Sequence, residues 1–221
     1  MKPKGILFWS SGKDSAWTLH KVRQSDDIEI VALVTTFNEA FGRVAMHGVR
    51  MELVELQAEQ TRLPLWKVPL PWPCSNAIYE ERMQGVVQRA LSEGVTHFVF
   101  GDLFLEEIRA YRIKQLQGTG IEPVFPVWGS PEETKALARQ MIQEGFRATL
   151  TCVDPRQLAT SFVGREFDEA LLADLPDTVD PCGERGEFHT FCHSAPVFDR
   201  AIPVQVGEIV ERDGFCFADL L

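Results

Sequence analysis

The first 126 residues alternate short apolar runs with amphipathic stretches of helical length, and that alternation leaves few folds open. Residues 5–10 (GILFWS) are a continuous apolar run behind a glycine, the pattern of a strand buried on both faces. Residues 14–23 follow with Ala16, Leu19 and Val22 at helical spacing. Residues 29–37 (EIVALVTTF) are rich in β-branched side chains and predict a second strand. A helix is expected over 48–62, stopping before Pro64, and a short strand over 66–70. Residues 77–93 predict a long helix closed by Gly94, and 96–101 a fourth strand. Residues 106–117 predict a helix closed by Gly118, with a last short strand at 122–126. Strands separated by helices of this length form βαβ units, so the expected fold is α/β. It is a doubly wound, Rossmann-like parallel sheet with a smaller α+β C-terminal domain. Such sheets take ligands at the carboxyl ends of their strands, which points to the loops after Trp9, Thr36 and Phe100.

The pattern changes after residue 126. One helix (131–144) and one strand (148–153) continue it; then comes the Gly/Pro/acid-rich stretch DLPDTVDPCGERGEFHTF. A hairpin is expected around Asp213-Gly214. The expected division is 1–126 for the nucleotide-binding sheet and 127–221 for a substrate-binding domain covering its end. With 45% hydrophobic and 24% charged residues, the 221-residue chain is neither disordered, fibrous nor a disulfide miniprotein. The five scattered cysteines contain no close CxxC pair and are expected to be reduced thiols. Met1-Lys2-Pro3-Lys4 precedes only four apolar residues, so no secretory signal is read, and no apolar window reaches membrane-spanning length. A cytoplasmic protein without membrane contact is expected. A net charge of −10 disfavours a broad nucleic-acid surface.

The most specific local signal is Ser10-Ser11-Gly12-Lys13-Asp14-Ser15, between a buried strand and a helix. Glycine allows close backbone approach to a phosphate, and the helix start offers free N–H groups and a positive dipole end. Ser10, Ser11 and Ser15 add hydroxyls and Lys13 a charge. A Walker A loop is excluded: six residues separate Gly5 from Gly12, and Asp14 follows Lys13 where Ser or Thr is required. A helix cap by Asp14 or Ser15 explains one residue of the run and not the rest. The segment resembles the SGGxDS loop of the PP-loop ATP pyrophosphatases, with Ser11 in place of the first glycine. That resemblance implies ATP with its β,γ-phosphates on residues 10–15, adenosine near Thr35, Thr36 and His47, and Gly101 and Asp102 at the fourth strand's end. Asp102 is the candidate Mg²⁺ ligand, weighed against a plain helix cap.

A second signal is Pro181-Cys182-Gly183-Glu184-Arg185-Gly186-Glu187-Phe188-His189-Thr190. Two glycines permit tight turns, and Glu184, Glu187 and His189 could converge on one cavity; alone, the stretch also reads as a solvated turn leading into a strand. Together the two motifs resemble the diphthine–ammonia ligase family, whose second signature is approximately Gly-Glu-Gly-Gly-Glu-Tyr/Phe-Glu-Thr. Gly101, Arg112, Trp128-Gly129 and Val163-Gly164-Arg165 extend the resemblance over nearly the whole chain. Arg185 stands where the family has glycine, and His189 where it has glutamate, which suggests a sister branch with a different acyl acceptor.

The resemblance implies an ATP-dependent, AMP-forming ligase that adenylates a small-molecule or protein-borne carboxylate and amidates it with ammonia or an amine. ATP and Mg²⁺ are the implied cofactors. Lys13 would stabilise the leaving diphosphate, and Lys13→Ala is expected to abolish turnover with the fold intact. Glu184, Glu187 and His189 would bind the acceptor or take a proton from the amine, with Cys182, Gly183, Gly186 and Thr190 around it. Arg109 and Arg112, three residues apart, would offer a paired cationic helix face to a phosphate or carboxylate, unless they form a solvated face beside Glu106. A zinc site from Cys182, His189, Cys192 and His193 fits no common spacing. The rival readings are a PP-loop amidohydrolase or tRNA-modifying enzyme and a non-catalytic ATP binder. A homodimer is a further expectation.

Overall fold

The computed structural model describes residues 2–221. Strands β1 (Lys4–Phe8), β2 (Glu29–Asn38), β4 (Leu65–Leu70), β5 (His97–Val99) and β6 (Glu122–Val124) form a parallel sheet in the order β4-β2-β1-β5-β6. The chain leaves β1 toward β2 and β4, then crosses to β5 and β6 on the other side. The reversal between β1 and β5 is the topological switch point where sheets of this class bind ligands.

Strand alternation sorts the core into two layers. Leu7 and Leu33 point to the face covered by α1 (Lys13–Ser25) and α2 (Met51–Thr61), through Ala16, Leu19, Leu53 and Val54. Ile6, Ala32 and Val34 point to the opposite face, covered by α3 (Asn76–Ser92) through Val86, Val87 and Ala90. Helix α4 (Glu106–Leu116) lies on that second face but buries only Leu116 fully. The doubly wound parallel architecture expected from the sequence is therefore the one observed.

The C-terminal part is an antiparallel sheet of β7 (Arg147–Val153), β8 (Phe188–Ser194), β9 (Val206–Arg212) and β10 (Phe215–Leu220), in the order β8-β7-β10-β9. Helix α5 (Thr134–Gln143) packs Ala138, Met141 and Ile142 beneath it, and α6 (Glu169–Asp174) lies in the connection to β8. The β9–β10 hairpin turns at Asp213-Gly214 as expected, both at positive φ. The smaller α+β part expected after residue 126 is thus built on a four-stranded antiparallel sheet. Residues 43–44 form a short strand, β3 (Arg43–Val44), antiparallel to the end of β2, which the periodicity did not signal.

The two sheets share one core. Leu7, Trp9 and Trp17 of the first part and Phe146, Phe167, Phe191 and Leu220 of the second belong to one continuous apolar cluster. Polar links cross the same junction: buried Gln57 donates to the carbonyls of Ser11 (2.9 Å) and Cys192 (2.6 Å) and accepts from Trp9 Nε1 (2.7 Å). The Cys192 N–H donates to the Ser11 carbonyl at 2.9 Å, so β8 is stitched to the loop that follows β1. Among the described residues, no helix is long and apolar enough to cross a membrane.

Candidate active site

A cavity of about 500 Å³ opens at the switch point. Residues Ser10, Lys13, Asp14 and Ser15 form one wall, and Thr35, Thr36, Met46 and His47 a second. Gly101, Asp102 and Arg112 form a third, and Cys182, Gly183, Glu184, His189 and Thr190 close it. Both sequence signatures therefore meet at one place. A larger concavity of about 710 Å³, between Trp17 and Trp128, contains none of these residues.

Helix α1 starts at Lys13 with Gly12 as its N-cap, and no side chain caps it. Capping by Asp14 or Ser15 is not what the loop does: Ser15 Oγ donates instead to the Gly12 carbonyl at 2.9 Å. The Gly12 N–H donates to Ser10 Oγ at 3.2 Å, and the Lys13 N–H donates to Thr190 Oγ1 at 3.1 Å. A Cβ on Gly12 would come within 3.0 Å of His47 Cε1 and 3.3 Å of the Thr190 carbonyl. A side chain there would push its neighbours by a few tenths of an ångström, so glycine favours the close approach of three segments. Gly101 plays a packing role, because a Cβ would sit 2.9 Å from Thr18 Oγ1 on α1.

Ser11 carries φ +73°, the left-handed region that favours glycine, and its hydroxyl is buried without a partner. The glycine-for-serine difference at this position is therefore a conformational cost. Ser11→Gly is expected to stabilise the protein by about 1 kcal/mol, since relief of left-handed strain and of the unpaired hydroxyl exceeds the entropy lost. Thermal unfolding checks this: the midpoint should rise by roughly 2–4 °C.

Lys13 is only 2% exposed. Its ammonium donates to Asp14 Oδ2 at 2.9 Å and to the Cys182 carbonyl, between the rings of Phe167 and Phe188 at 5.2 and 5.5 Å. Burial alone would lower its pKa, but Asp14 and Asp180 more than offset that, so it stays charged above its ordinary value. Burial raises the pKa of Asp14 against the pull of Lys13, and Asp14 Oδ1 has no partner. These contacts make Lys13 a clasp between α1 and the 182–188 segment. A Lys13→Ala variant with an intact fold, as the sequence suggested, is inconsistent with them.

The acids of the second signature divide. Glu184 faces the cavity and accepts the Leu103 N–H at 2.8 Å. Burial, reinforced by Asp14 and Asp102, raises its pKa to about 8. Glu187 is 1% exposed and does not reach the cavity: its carboxylate accepts the Asp180 N–H at 2.8 Å and the Arg185 N–H at 3.0 Å. It holds the 180–187 turn in shape, which corrects its expected contact with substrate. Gly186 belongs to that turn at φ +83°, outside the cavity wall. Gly183, at φ +71°, is pressed against Phe188, whose carbonyl would lie 2.8 Å from a Cβ. The Cys182 thiol also turns away, donating to the Thr134 carbonyl at 3.5 Å, and burial pushes its pKa well up.

His189 and His47 adjoin in the cavity wall, ring centroids 4.7 Å apart and planes tilted by 39°. His47 Nδ1 donates to the Thr190 carbonyl at 2.9 Å, which leaves Nε2 as an acceptor. Burial, with Lys13 adding to it, lowers His47 to about 4; burial, His47 and Lys13 lower His189 to about 3. Both imidazoles are neutral near pH 7. His189 is thus a lone-pair acceptor there and a poor proton store, which corrects its expected part in taking a proton from the amine.

Arg109 and Arg112 do not act as a pair. Arg112 reaches the cavity, its guanidinium 4.7 Å above Phe100 and its Nε 3.4 Å from Asp102. Arg109 lies against Trp128 and Phe125 at 4.7 and 5.5 Å, outside the cavity wall. A hundred-degree turn per residue separates them enough for different neighbours to claim each. Cys192, His193 and the other sulfur and imidazole groups form no cluster: among the described residues, no three His, Cys, Asp or Glu are grouped to hold a metal. His193 instead pairs with Glu166 at 2.9 Å.

Several contributors were not singled out from the sequence. Asp180 is buried and accepts the Glu184 N–H at 2.9 Å; the Asp-Pro-Cys-Gly turn signal at 180–183 marked its place but not its role. Asp219 on β10 binds Arg43 at 2.8 Å and Arg50 Nε at 3.0 Å, and Phe217 packs against Gly48. These contacts pin the 43–50 segment that carries Met46 and His47 to the cavity. No local pattern could have shown this, since 169 residues separate Arg50 from Asp219. Hydrogen bonds from Arg50, then from Arg43, hold Asp219 down to about 2. With the folded pKa depressed, the clamp is fully present above the ordinary carboxylate range and is lost as pH falls toward 2. Asp219→Asn is expected to lower the thermal unfolding midpoint at pH 7 by roughly 2–4 °C, and the gap to wild type should close as pH falls toward 2, which unfolding across that range would check.

Comparison with known proteins gives a consistent assignment. The diphthamide synthase N-terminal domain family matches residues 3–121, and the diphthamide synthase C-terminal domain family matches residues 133–219. A curated relative from Schizosaccharomyces pombe (strain 972 / ATCC 24843), named diphthine--ammonia ligase, is 24% identical over 232 residues, covering 96% of this chain. The chain spans 37% of that relative's length.

Proposed function

The chain belongs to the diphthamide synthase family, and on that premise we propose that it is an ATP-dependent, AMP-forming ligase that turns a carboxylate into an amide. The observation that carries this reading is the meeting of Ser10, Lys13, Asp14 and Ser15 with Glu184, His189 and Thr190 in one cavity at the switch point. A phosphate-binding loop and a second set of polar groups on opposite walls suit a reaction between a nucleotide and another substrate.

In this reading ATP lies across the ends of β1 and β2, its β,γ-phosphates on the uncapped start of α1. Adenosine rests near Thr35, Thr36, Met46 and His47. The pocket suits such a ligand: Asp14 Oδ1 and Thr35 Oγ1 are buried without partners. A substrate carboxylate attacks the α-phosphorus, releases diphosphate and leaves an acyl-adenylate. Ammonia or an amine then displaces AMP. Arg112 orients the carboxylate. Glu184, poised near neutrality, takes the proton the nitrogen loses. The neutral lone pairs of His189 and His47 accept N–H groups of the incoming nitrogen. Lys13 keeps the 182–188 wall closed on the loop and adds positive potential beside it.

Mg²⁺ fits as an ion shared with the phosphates and not as one caged by protein. Asp14 and Asp102 supply two carboxylates at the cavity, and Mg²⁺ is commonly held by one or two carboxylates plus phosphate oxygens. When bound, it neutralises triphosphate charge. The acceptor is proposed to differ from diphthine, because neutral His189 stands where the family has an acid.

The test is to incubate the protein with ATP, Mg²⁺, ammonium and a panel of carboxylic acids and to separate the nucleotides. Acid-dependent AMP and diphosphate are expected. ADP as the sole product overturns the reading.

A further inference from the structure

We propose that the acid's non-reacting body sits in the groove between α3 and α4, so that the substrate is a carboxylic acid with an aromatic or alicyclic body; this rests on the amidation reading above. The groove encloses about 520 Å³ on the face of the sheet. Its floor is aromatic: Phe8 lies 5.3 Å from Phe98 and 4.6 Å from Phe100, ring centre to ring centre. Helices normally close over such a floor. Here α4 buries only Leu116 fully, and Gln115 bridges the gap to Glu80 of α3 at 3.3 Å.

Three features commit the groove to this occupant. It is continuous with the nucleotide cavity, since Phe8, Tyr79, Phe100 and Arg112 line both. Its charge is placed for a carboxylate: Arg112 stands at that junction and is the sole cation among the groove's described lining residues. Its long 3.4 Å contact with Asp102 leaves a quarter-exposed guanidinium able to take an anion. The remaining wall is apolar or neutral, with one acid, Glu80, already bonded to Gln115. A ligand anchored by its carboxylate on Arg112 would lay its body along the phenylalanines and present its reacting oxygen to the nucleotide side. A small polar acid would leave the aromatic floor wet and gain nothing from it.

The test measures binding apart from turnover. Calorimetric titration of the full chain with 4-phenylbutyrate, 4-phenylbutanol and acetate compares wild type with Met83→Trp, which plugs the groove away from the nucleotide cavity, and with Arg112→Met. Expected are binding of phenylbutyrate, at least about tenfold weaker binding of acetate and phenylbutanol, and a similar loss in both variants. ATP affinity should be unchanged in Met83→Trp; if that variant fails to fold, Gln84→Trp replaces it. No phenylbutyrate binding by wild type, or equal binding by the plugged variant, overturns the groove assignment. The two readings separate through AMP release. Groove binding with no AMP from any acid sinks the amidation reading alone. AMP formation with an acid KM indifferent to the plug sinks the groove alone.

Discussion

Glu184→Gln is expected to slow amide formation, and the AMP release that goes with it, by roughly 10²–10³-fold while leaving a single turnover of acid-dependent diphosphate release in place. The carboxyl group faces the cavity, accepts one backbone N–H and is raised to about 8 by burial and by Asp14 and Asp102. A base of that pKa is well matched to taking a proton from nitrogen near neutral pH, and glutamine keeps the shape without the basicity. Wild-type amide formation should therefore rise with pH up to about 8 and then level. Hydroxylamine, already a free base at neutral pH, makes that limb report the enzyme and not the nucleophile. The limb should vanish in the variant; its survival would remove Glu184 from the proton transfer. Stability should move the other way. A raised folded pKa means the folded state holds a proton that the unfolded chain has lost, so wild type loses stability as pH climbs from the ordinary glutamate range toward 8. Glu184→Gln should unfold at a higher temperature than wild type at pH 8 and match it near pH 4.

The second large effect belongs to Lys13. Removing its side chain strands the Asp14 carboxylate and the Cys182 carbonyl in the interior and empties the space between Phe167 and Phe188. Breaking one half of a buried pair costs about 3–5 kcal/mol, so Lys13→Ala should be both at least about a hundredfold less active and markedly less stable. Urea unfolding separates the two losses. The double variant Lys13→Met, Asp14→Asn removes both charges and refills the volume, and it should recover most of the stability. Its AMP formation should stay low, because positive potential beside the phosphate loop is still missing and the Asp14 carboxylate that would hold Mg²⁺ is gone as well. Recovery of turnover together with stability would mean that Lys13 acts only as a clasp.

The parts of this molecule that could be read from sequence are those whose chemistry is local. The residues 5–23 run shows its strand, loop and helix because burial periodicity changes within a few residues, and β1 and α1 lie within a residue or two of expectation. Helix α6 and strand β8 were hidden for opposite reasons: α6 has only six residues, and the alternation of β8 is interrupted where Phe191 and Cys192 are both buried. Site roles were harder still. Glu184 and Glu187 are three residues apart and equally acidic, yet one lines the cavity and the other folds back onto its own turn. That choice is made by Gly183 and Gly186 at positive φ and by Asp180, through contacts that composition does not encode. Arg109 and Arg112 separate in the same way, each claimed by an aromatic ring from a distant segment. The neutral state of His189 follows from burial beside His47 and Lys13, which only the folded chain brings together.

The most direct test of the central claim is oxygen transfer from acid to nucleotide. An acid that supports AMP release, labelled with ¹⁸O in its carboxyl group, should deliver one labelled oxygen to the phosphate of AMP, because the carboxylate oxygen becomes bonded to the α-phosphorus and stays there when nitrogen displaces AMP. Mass spectrometry of the purified nucleotide reads the result. Labelled AMP is the expected outcome; AMP that carries oxygen only from solvent water would show hydrolysis in place of acyl activation and would contradict the account.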